Sequence, residues 1–151
     1  MKGYYKNPEA TAEVLDENNF LHSGDLGIKD EDGNYRITGR IKDMIIRGGE
    51  NIYPVQIEDF LRKHDKIKDV AVIGLPDRRL GEKTAAIIEI KDGMTCTEEE
   101  IENFCLELPR YKRPKQIIFH EIPRNATGKI EKPKLREMYG ADKLVEKENE
   151  A

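Results

Sequence analysis

Apolar residues follow a helical spacing in the middle of the chain. Ile57, Phe60, Leu61 and His64 stand at positions i, i+3, i+4 and i+7 behind Pro54, a residue that suits the first turn of a helix. This pattern predicts an amphipathic helix from residue 54 to about residue 64. His64 falls on the edge of the packed face, where a histidine is more often structural than catalytic.

A capping box predicts a second helix. Thr97 precedes Glu100 by three residues, so each side chain can bind a backbone N–H group of the other at a helix start. Apolar residues then keep a 3.6-residue period until Pro109 stops the helix: Ile101, Phe104, Cys105 and Leu108. Weaker patterns predict helical turns over residues 9–19 and a last helix over residues 133–139.

Short apolar runs between these helices predict strands. They cover residues 41–46, 70–74, 84–90 and 116–119, and Leu75-Pro76-Asp77 closes the second of them. Further upstream, an Asp-Gly pair lies between alternating apolar residues, which is a strong hairpin signal. That hairpin would bring Asp25 and Arg40, at its two open ends, close together.

The order of these elements predicts an α+β fold. From residue 41 it runs strand, helix, strand, strand, helix, strand, helix, which gives a domain of about 100 residues with helices packed on a small mixed sheet. Residues 1–40 do not belong to that core. The sequence therefore predicts an incomplete first segment (1–40), an α+β domain (41–140) and a polar, disordered tail (141–151).

Composition and charge narrow the function classes. The 26 Lys and Arg residues nearly balance the 30 Asp and Glu residues and are mixed with them, so no nucleic-acid partner is implied. No apolar run approaches the roughly 20 residues of a membrane span. Cys96 and Cys105 have no partner pair for zinc or a disulfide framework, and Cys105 falls on a helix core position. We expect a cytoplasmic protein with reduced cysteines.

Three polar turns that contain glycine are candidate ligand sites. Asp25 can accept hydrogen bonds from two vicinal hydroxyls, as a ribose presents, although a turn aspartate more often binds its own backbone. The adjacent glycines 48 and 49 would let a phosphate or a thin acyl chain approach the backbone. Arg40 and Lys129, taken singly, are better explained as solvated cations than as ligand contacts. So is the basic cluster of Arg110, Lys112, Arg113 and Lys115.

Taken in order and spacing, these sites resemble the C-terminal part of the adenylate-forming superfamily, which includes acyl-CoA synthetases, adenylation domains of peptide synthetases and beetle luciferases. Ser23 stands where that family more often has Thr. The matching stretches are Gly3-Tyr4-Tyr5 with Asn7-Pro8-Glu9-Ala10-Thr11, His22-Ser23-Gly24-Asp25-Leu26, Gly39-Arg40-Ile41-Lys42-Asp43, Ile46-Arg47-Gly48-Gly49-Glu50-Asn51-Ile52-Tyr53-Pro54 and Thr127-Gly128-Lys129-Ile130.

The resemblance implies an enzyme that activates a small-molecule carboxylate with ATP, forming acyl-AMP and pyrophosphate, and then passes the acyl group to a thiol. By the same resemblance Asp25 and Arg40 would hold the ribose hydroxyls, and Ile37 would line the nucleotide site. Lys42, followed by Asp43, falls at the family's hinge, where the small domain rotates between the two half-reactions.

The resemblance also assigns the second half of the site. Lys129 would bridge the carboxylate and α-phosphate oxygens during adenylation and swing away afterwards. Gly48, Gly49 and Glu50 would then lie beside the pantetheine tunnel. The sequence of this loop is most similar to that of fatty or medium-chain acyl-CoA synthetases, which favours CoA as the acceptor.

Two alternatives remain open on the sequence. The chain could belong to an adenylation module that loads a carrier protein, or to a non-catalytic domain of the same fold. In an acyl-CoA synthetase or in an adenylation module, a large N-terminal domain would supply the acyl pocket and most ligands of the Mg²⁺ that accompanies ATP. We therefore expect that residues 1–40 are only the closing segment of that domain, and that the chain is inactive alone.

Overall fold

The computed structural model describes residues 1–140 and divides the chain into two compact units. The first unit is Met1–Lys42, and the second is Asp43–Ala151, described up to Gly140. The predicted tail, residues 141–151, lies outside the described residues. Within the described part, no helix has the length and apolar character that crossing a membrane requires.

The first unit contains a short helix and a hairpin. Its elements are α1 (Pro8–Val14), β1 (Asp25–Lys29) and β2 (Tyr35–Arg40), with the two strands antiparallel as predicted. Asn7 caps the helix, because its Oδ1 accepts a hydrogen bond from Ala10 N at 3.0 Å. The helix ends well before residue 19. The carboxylate of Asp16 accepts the N–H groups of residues 18 and 20, which closes a turn instead of continuing the helix.

The second unit is a five-stranded mixed sheet with helices, which confirms the α+β prediction. The strands lie in the order β4-β3-β6-β5, and β7 pairs parallel with β6. Its elements in chain order are β3 (Ile45–Arg47), β4 (Glu50–Ile52), α2 (Pro54–Leu61), β5 (Ile67–Asp77), β6 (Gly81–Ile90), α3 (Glu98–Phe104), β7 (Gln116–Phe119) and α4 (Lys132–Gly140).

The central hairpin of β5 and β6 buries side chains on both faces of the sheet. On one face Val70 and Val72 pack with residues of α2 and α3, and on the other Ala71 and Ile73 pack with Leu135 of α4. Successive side chains of a strand point to opposite faces, so this near-continuous apolar run fills two layers of core at once. The sheet thereby carries helices on both sides.

Helix α3, the helix predicted from the capping box, begins and packs as its sequence predicts. The capping box is formed: Thr97 Oγ1 accepts from Glu100 N at 3.2 Å, and Glu100 Oε2 accepts from Thr97 N at 2.9 Å. A hydrogen bond from Lys66 and the capping bond from Thr97 N lower the pKa of Glu100 to about 2. Helix α3 is followed by a 3-10 turn over Cys105–Glu107. Cys105 is buried as predicted, and burial raises the pKa of its thiol to about 11.

Two strand predictions were wrong in their extent. The run over residues 41–46 begins with a 3-10 turn, Ile41–Asp43, because Ile41 is exposed and only Ile45 is fully buried. Residues 75–77, predicted to follow the next strand, are instead its last three residues: Pro76 pairs with Glu82 inside the β5–β6 hairpin. Proline is tolerated there because Pro76 lies four residues after Val72 in a regular strand, and the N–H of Val72 points away from β6; the missing N–H of Pro76 therefore interrupts no ladder.

The unpaired side of β5 is covered by a side chain of α2 and by that of Arg62, which follows the helix. Glu58 Oε1 accepts a hydrogen bond from Val72 N at 2.9 Å, and Arg62 Nη2 donates to Val70 O at 3.4 Å. These bonds satisfy backbone groups that a neighbouring strand would otherwise bind. They also fix α2 against the sheet.

Candidate functional site

The hairpin of the first unit brings the predicted nucleotide-binding residues onto one face. Asp25 pairs with Arg40 across the strands, and Gly27 pairs with Ile37, whereas Thr38 has no partner in the register and forms a β-bulge in β2. Asp25 and Gly27 are two apart in a regular strand and point the same way. Their partners Arg40 and Ile37 therefore share that face, although an uninterrupted strand would turn them to opposite sides.

The two charged residues of this face are close and accessible. Arg40 Nε lies 3.4 Å from Asp25 Oδ1, with 69% of the arginine side chain and 31% of the aspartate side chain exposed. An ion pair this exposed contributes little to stability. Ile37 beside them is also exposed. The face therefore offers an acceptor, a donor and an apolar side chain to a ligand.

The predicted hinge lies between two anchored residues. Ile41 N donates to Gly24 O at 2.9 Å within the first unit, and Asp43 Oδ1 accepts from Arg136 Nη2 at 2.8 Å within the second. Lys42, between them, is exposed, and its side chain makes no hydrogen bond or ion pair among the described residues. The division of the chain falls directly after it.

The predicted thioester loop is a tight hairpin turn that joins β3 to β4. Gly48 and Gly49 have φ angles of +56° and +86°, which suits a two-residue turn that needs positive φ at both positions. Arg47 and Glu50 pair at the base of the turn, and Gly48 N donates to Leu80 O at 2.8 Å. Strand β4 is not among the strands that the sequence predicts.

A basic depression of about 470 Å³ opens beside this turn. Its lining includes Arg47, Arg79, Arg110 and Lys115 together with Gly48, and it contains no carboxylate. Arg47 Nη1 donates to Tyr111 O at 2.8 Å, whereas its buried Nε has no partner among the described residues. Two residues of the basic cluster noted in the sequence, Arg110 and Lys115, therefore line one cavity.

Lys129 stands in a narrow loop between β7 and α4. The loop is closed by a bridge between Arg124 and Ile130, and Gly128 takes a φ of +81° in open space. Lys129 is exposed, and its ammonium group makes no ion pair among the described residues. No hydrogen bond or ion pair of the described part joins it to the Gly48–Gly49 turn. The chain thus presents a free cation on a structured loop.

Two ion pairs that the sequence analysis missed flank this loop. Before it, Arg124 binds Asp69 of β5, which also accepts from Arg62 Nε at 3.2 Å. Burial acts to raise the pKa of Asp69, but hydrogen bonds from Val70 N and the two arginines outweigh it, so this pKa lies below its usual value. Asp69 is therefore held as a carboxylate.

The second pair follows the loop. Lys132 Nζ lies 2.7 Å from Glu58 Oε1, and only 13% and 6% of the two side chains are exposed. A glutamate three residues before the buried Leu61 of a helix is a signal of such a pair, because a carboxylate on an apolar face needs a partner. The loop is thus tied to β5 and to α2.

The arrangement defines a class. Four features occur in the order expected for adenylate-forming enzymes. They are an acceptor and donor pair on one hairpin, a one-residue link, a Gly-Gly turn beside a basic cavity, and a loop that carries a lysine. Residues 56–129 match the family model of the AMP-binding enzyme C-terminal domain. Residues 56–129 therefore belong to the family of the AMP-binding enzyme C-terminal domain, in agreement with the resemblance.

The relatives are synthetases and ligases. The chain is 50% identical over 139 residues to the putative acyl-CoA synthetase YngI of Bacillus subtilis, and 47% identical over 139 residues to the mitochondrial medium-chain acyl-CoA ligase ACSF2 of Rattus norvegicus. Each alignment covers 91% of this chain, but only 25% and 23% of the relative. Among solved structures, ATP-bound MatB from Rhodopseudomonas palustris matches with a TM-score of 0.85 at 37% identity, over 93% of this chain and 28% of that one. The chain therefore spans about a quarter of the length of these proteins.

Proposed function

We propose that this chain acts as the C-terminal part of an AMP-forming acyl-CoA synthetase, which activates a carboxylate with ATP and transfers the acyl group to CoA. The observation that carries the proposal is the free ammonium of Lys129 on a structured loop, within a chain whose relatives at 47–50% identity are named acyl-CoA synthetase or ligase. The chain spans only 25% and 23% of these two relatives, so the proposed activity is that of the whole enzyme to which these residues would belong. Cytoplasmic location stays a prediction.

The hairpin of the first unit is proposed to bind the nucleotide. The carboxylate of Asp25 accepts hydrogen bonds from the two ribose hydroxyls, and the guanidinium of Arg40 donates to the ribose or to a phosphate. Ile37, on the same face, packs against the apolar part of the nucleotide. The Arg40–Asp25 pair is exposed enough to open for a ligand at little energetic cost.

Lys129 is proposed to act in the adenylation step. Charge builds on the α-phosphate oxygens as the carboxylate attacks, and a cation aimed at them stabilises the transition state more than the ground state. A single donor of this kind contributes about 3–4 kcal/mol, or roughly 10²–10³ in kcat. The second step needs the same space for a thiol, so the lysine must leave.

The hinge allows this exchange. Ile41 N is bonded to the first unit and the Asp43 side chain to the second, so rotation about the backbone of Lys42 would disturb only the 3-10 turn that contains it and would leave these two bonds in place. We propose that this rotation withdraws Lys129 and brings the Gly48-Gly49-Glu50 turn to the acyl-AMP. Without side chains, the two glycines leave room for a thin pantetheine arm beside the backbone.

The basic depression favours CoA over a carrier protein as the acceptor. CoA carries several phosphate charges on its nucleotide part, and a cavity lined by Arg79, Arg110 and Lys115 without a carboxylate suits such a polyanion.

No group of three His, Cys, Asp or Glu side chains that could hold a metal ion lies among the described residues. We therefore assign no ligand of the Mg²⁺ that accompanies ATP to this part of the chain.

Half-reaction assays on the full-length protein that carries this chain test the proposal. Lys129→Ala should lower ATP-pyrophosphate exchange roughly 10²–10³-fold, whereas thioester formation from supplied acyl-AMP should persist. Lys134→Ala, an exposed lysine nearby, is the matched control. Exchange within a few fold of wild type for Lys129→Ala would favour the non-catalytic alternative.

Two further measurements address the acceptor and the missing domain. Arg79→Ala combined with Lys115→Ala should raise the KM for CoA roughly tenfold or more, because charge-assisted hydrogen bonds are lost, and should leave exchange unchanged. Efficient loading of a carrier protein with no response to CoA would instead support the adenylation-module alternative. The 151-residue chain alone, given ATP and a medium-chain fatty acid, should release no pyrophosphate.

A further inference from the structure

The side chain of Asn125 organises the loop that carries Lys129. Its Oδ1 accepts three hydrogen bonds: from Thr127 N at 3.0 Å, from Thr127 Oγ1 at 2.7 Å and from Lys129 N at 2.9 Å. A carbonyl oxygen has two lone pairs, so the three donors share them and leave no acceptor capacity unused. This one oxygen therefore holds three polar hydrogens of the turn.

The same residue also binds the other backbone group of Lys129. Asn125 N donates to Lys129 O at 2.9 Å, and Gly128 N donates to Asn125 O at 2.9 Å. Both the N–H and the C=O of Lys129 are thus bonded to Asn125. The backbone from which the lysine side chain projects is fixed at both ends by a single residue.

Arg124 attaches this turn to the sheet. Its Nη1 donates to Gly128 O at 3.1 Å, and its Nη2 binds the carboxylate of Asp69 on β5. On the far side, Glu131 N donates to Pro123 O at 2.9 Å. The turn is therefore closed internally by Asn125 and held externally by the neighbouring residues.

We propose that Asn125 is a positioning residue for Lys129 in the adenylation step; this rests on the proposed role of that lysine. A lysine side chain is long and flexible, so its ammonium reaches one small volume reproducibly only if its Cα is fixed. Misplacement of a reacting group by about 1 Å can cost roughly 10²-fold in rate. Asn125 reduces this misplacement without touching the substrate.

A merely structural role for Asn125 makes a different prediction. A residue that only stabilises the domain would, when replaced, impair both half-reactions and lower the stability of the whole unit. A positioning residue impairs only the half-reaction that uses Lys129. An aspartate at the same position keeps the acceptor oxygen, so it should restore the position, whereas an alanine cannot.

The test measures both half-reactions in the full-length protein for Asn125→Ala, Asn125→Asp, Lys129→Ala and Thr97→Ala. Asn125→Ala should lower kcat of ATP-pyrophosphate exchange roughly 10- to 100-fold with the KM for ATP nearly unchanged, and Asn125→Asp should stay within about threefold of wild type. Thioester formation from supplied acyl-AMP should be unchanged in both. Thr97→Ala removes a hydrogen-bonded cap elsewhere in the same unit and should leave both half-reactions unchanged.

Hydrogen exchange supplies a readout that is independent of activity. In Asn125→Ala the amide hydrogen of Lys129 should exchange faster, while amide hydrogens of β5 and β6 keep their wild-type rates.

The kinetic results separate the positioning role from the proposed function. If Lys129→Ala abolishes ATP-pyrophosphate exchange but Asn125→Ala leaves it within twofold of wild type, the positioning role is refuted and the proposed function stands. If Lys129→Ala has no effect, the proposed function itself fails. Equal losses in both half-reactions for Asn125→Ala would indicate a structural role only.

Discussion

Removing Lys132 should destabilise the second unit strongly, because it leaves Glu58 as an unpaired buried charge. The pair is 2.7 Å apart, with 13% of the lysine and 6% of the glutamate side chain exposed. Breaking a buried pair by removing one partner costs about 3–5 kcal/mol. Glu58 keeps its hydrogen bond from Val72 N, so we expect Lys132→Met to cost about 3 kcal/mol, at the lower end of that range.

Urea unfolding of the single and double variants measures this cost. The midpoint should fall without a change in slope, which would report a loss of stability alone. Lys134→Met is the matched control on the same helix: its pair with Glu131 is 3.0 Å long, but 58% of the lysine side chain is exposed. An exposed pair of this kind contributes only about 0.2–1 kcal/mol.

The double variant identifies the cause. Glu58→Gln with Lys132→Met removes both charges, and the amide oxygen of glutamine can still accept from Val72 N, so most of the lost stability should return. The reasoning is refuted if Lys132→Met costs no more than Lys134→Met. It is equally refuted if the double variant is no more stable than Lys132→Met alone.

Three further predictions concern a pH response, a turn and a thiol. Because a hydrogen bond from Lys66 lowers the pKa of Glu100 to about 2, its stabilising contribution is complete above the ordinary pKa of 4.5 and disappears as pH falls towards 2; unfolding midpoints of wild type and Glu100→Gln should therefore converge over that window. Gly48→Ala should lower the urea midpoint more than Gly49→Ala, since both require positive φ but only the Cβ at residue 48 would meet a leucine side chain, at 3.2 Å. The buried thiol of Cys105, with its pKa raised by burial to about 11, should resist iodoacetamide at neutral pH until the protein unfolds, as mass spectrometry of the labelled protein would report.

Local features of the fold were predictable from the sequence. The capping box of Thr97 and Glu100 is formed, the Asp-Gly hairpin pairs Asp25 with Arg40, and Cys105 is buried at its helix position. Each of these depends on residues that are close in sequence or on a regular period. Strand β4 did not follow, because three residues are too few to display a period.

Features that depend on distant partners were not predictable. The bulge at Thr38 exists only in the register between two strands, although Gly39 inside a strand is a hint of it. The bond between Arg124 and Asp69 joins residues 55 positions apart, and no local pattern assigns such partners. The roles of Asp25, Arg40 and Lys129 came from their resemblance to a family, and they stay predictions until the half-reactions are measured.

The side chains that cover the open edge of β5 also protect the molecule from its neighbours. Glu58 and Arg62 bind backbone groups of that strand, which a second copy of the chain could otherwise pair with. Replacing Glu58 by leucine would therefore do more than lower stability, since it would leave the N–H group of Val72 without an acceptor at this edge of the sheet. Such a variant should form intermolecular β-sheet and precipitate at concentrations where the wild-type chain does not.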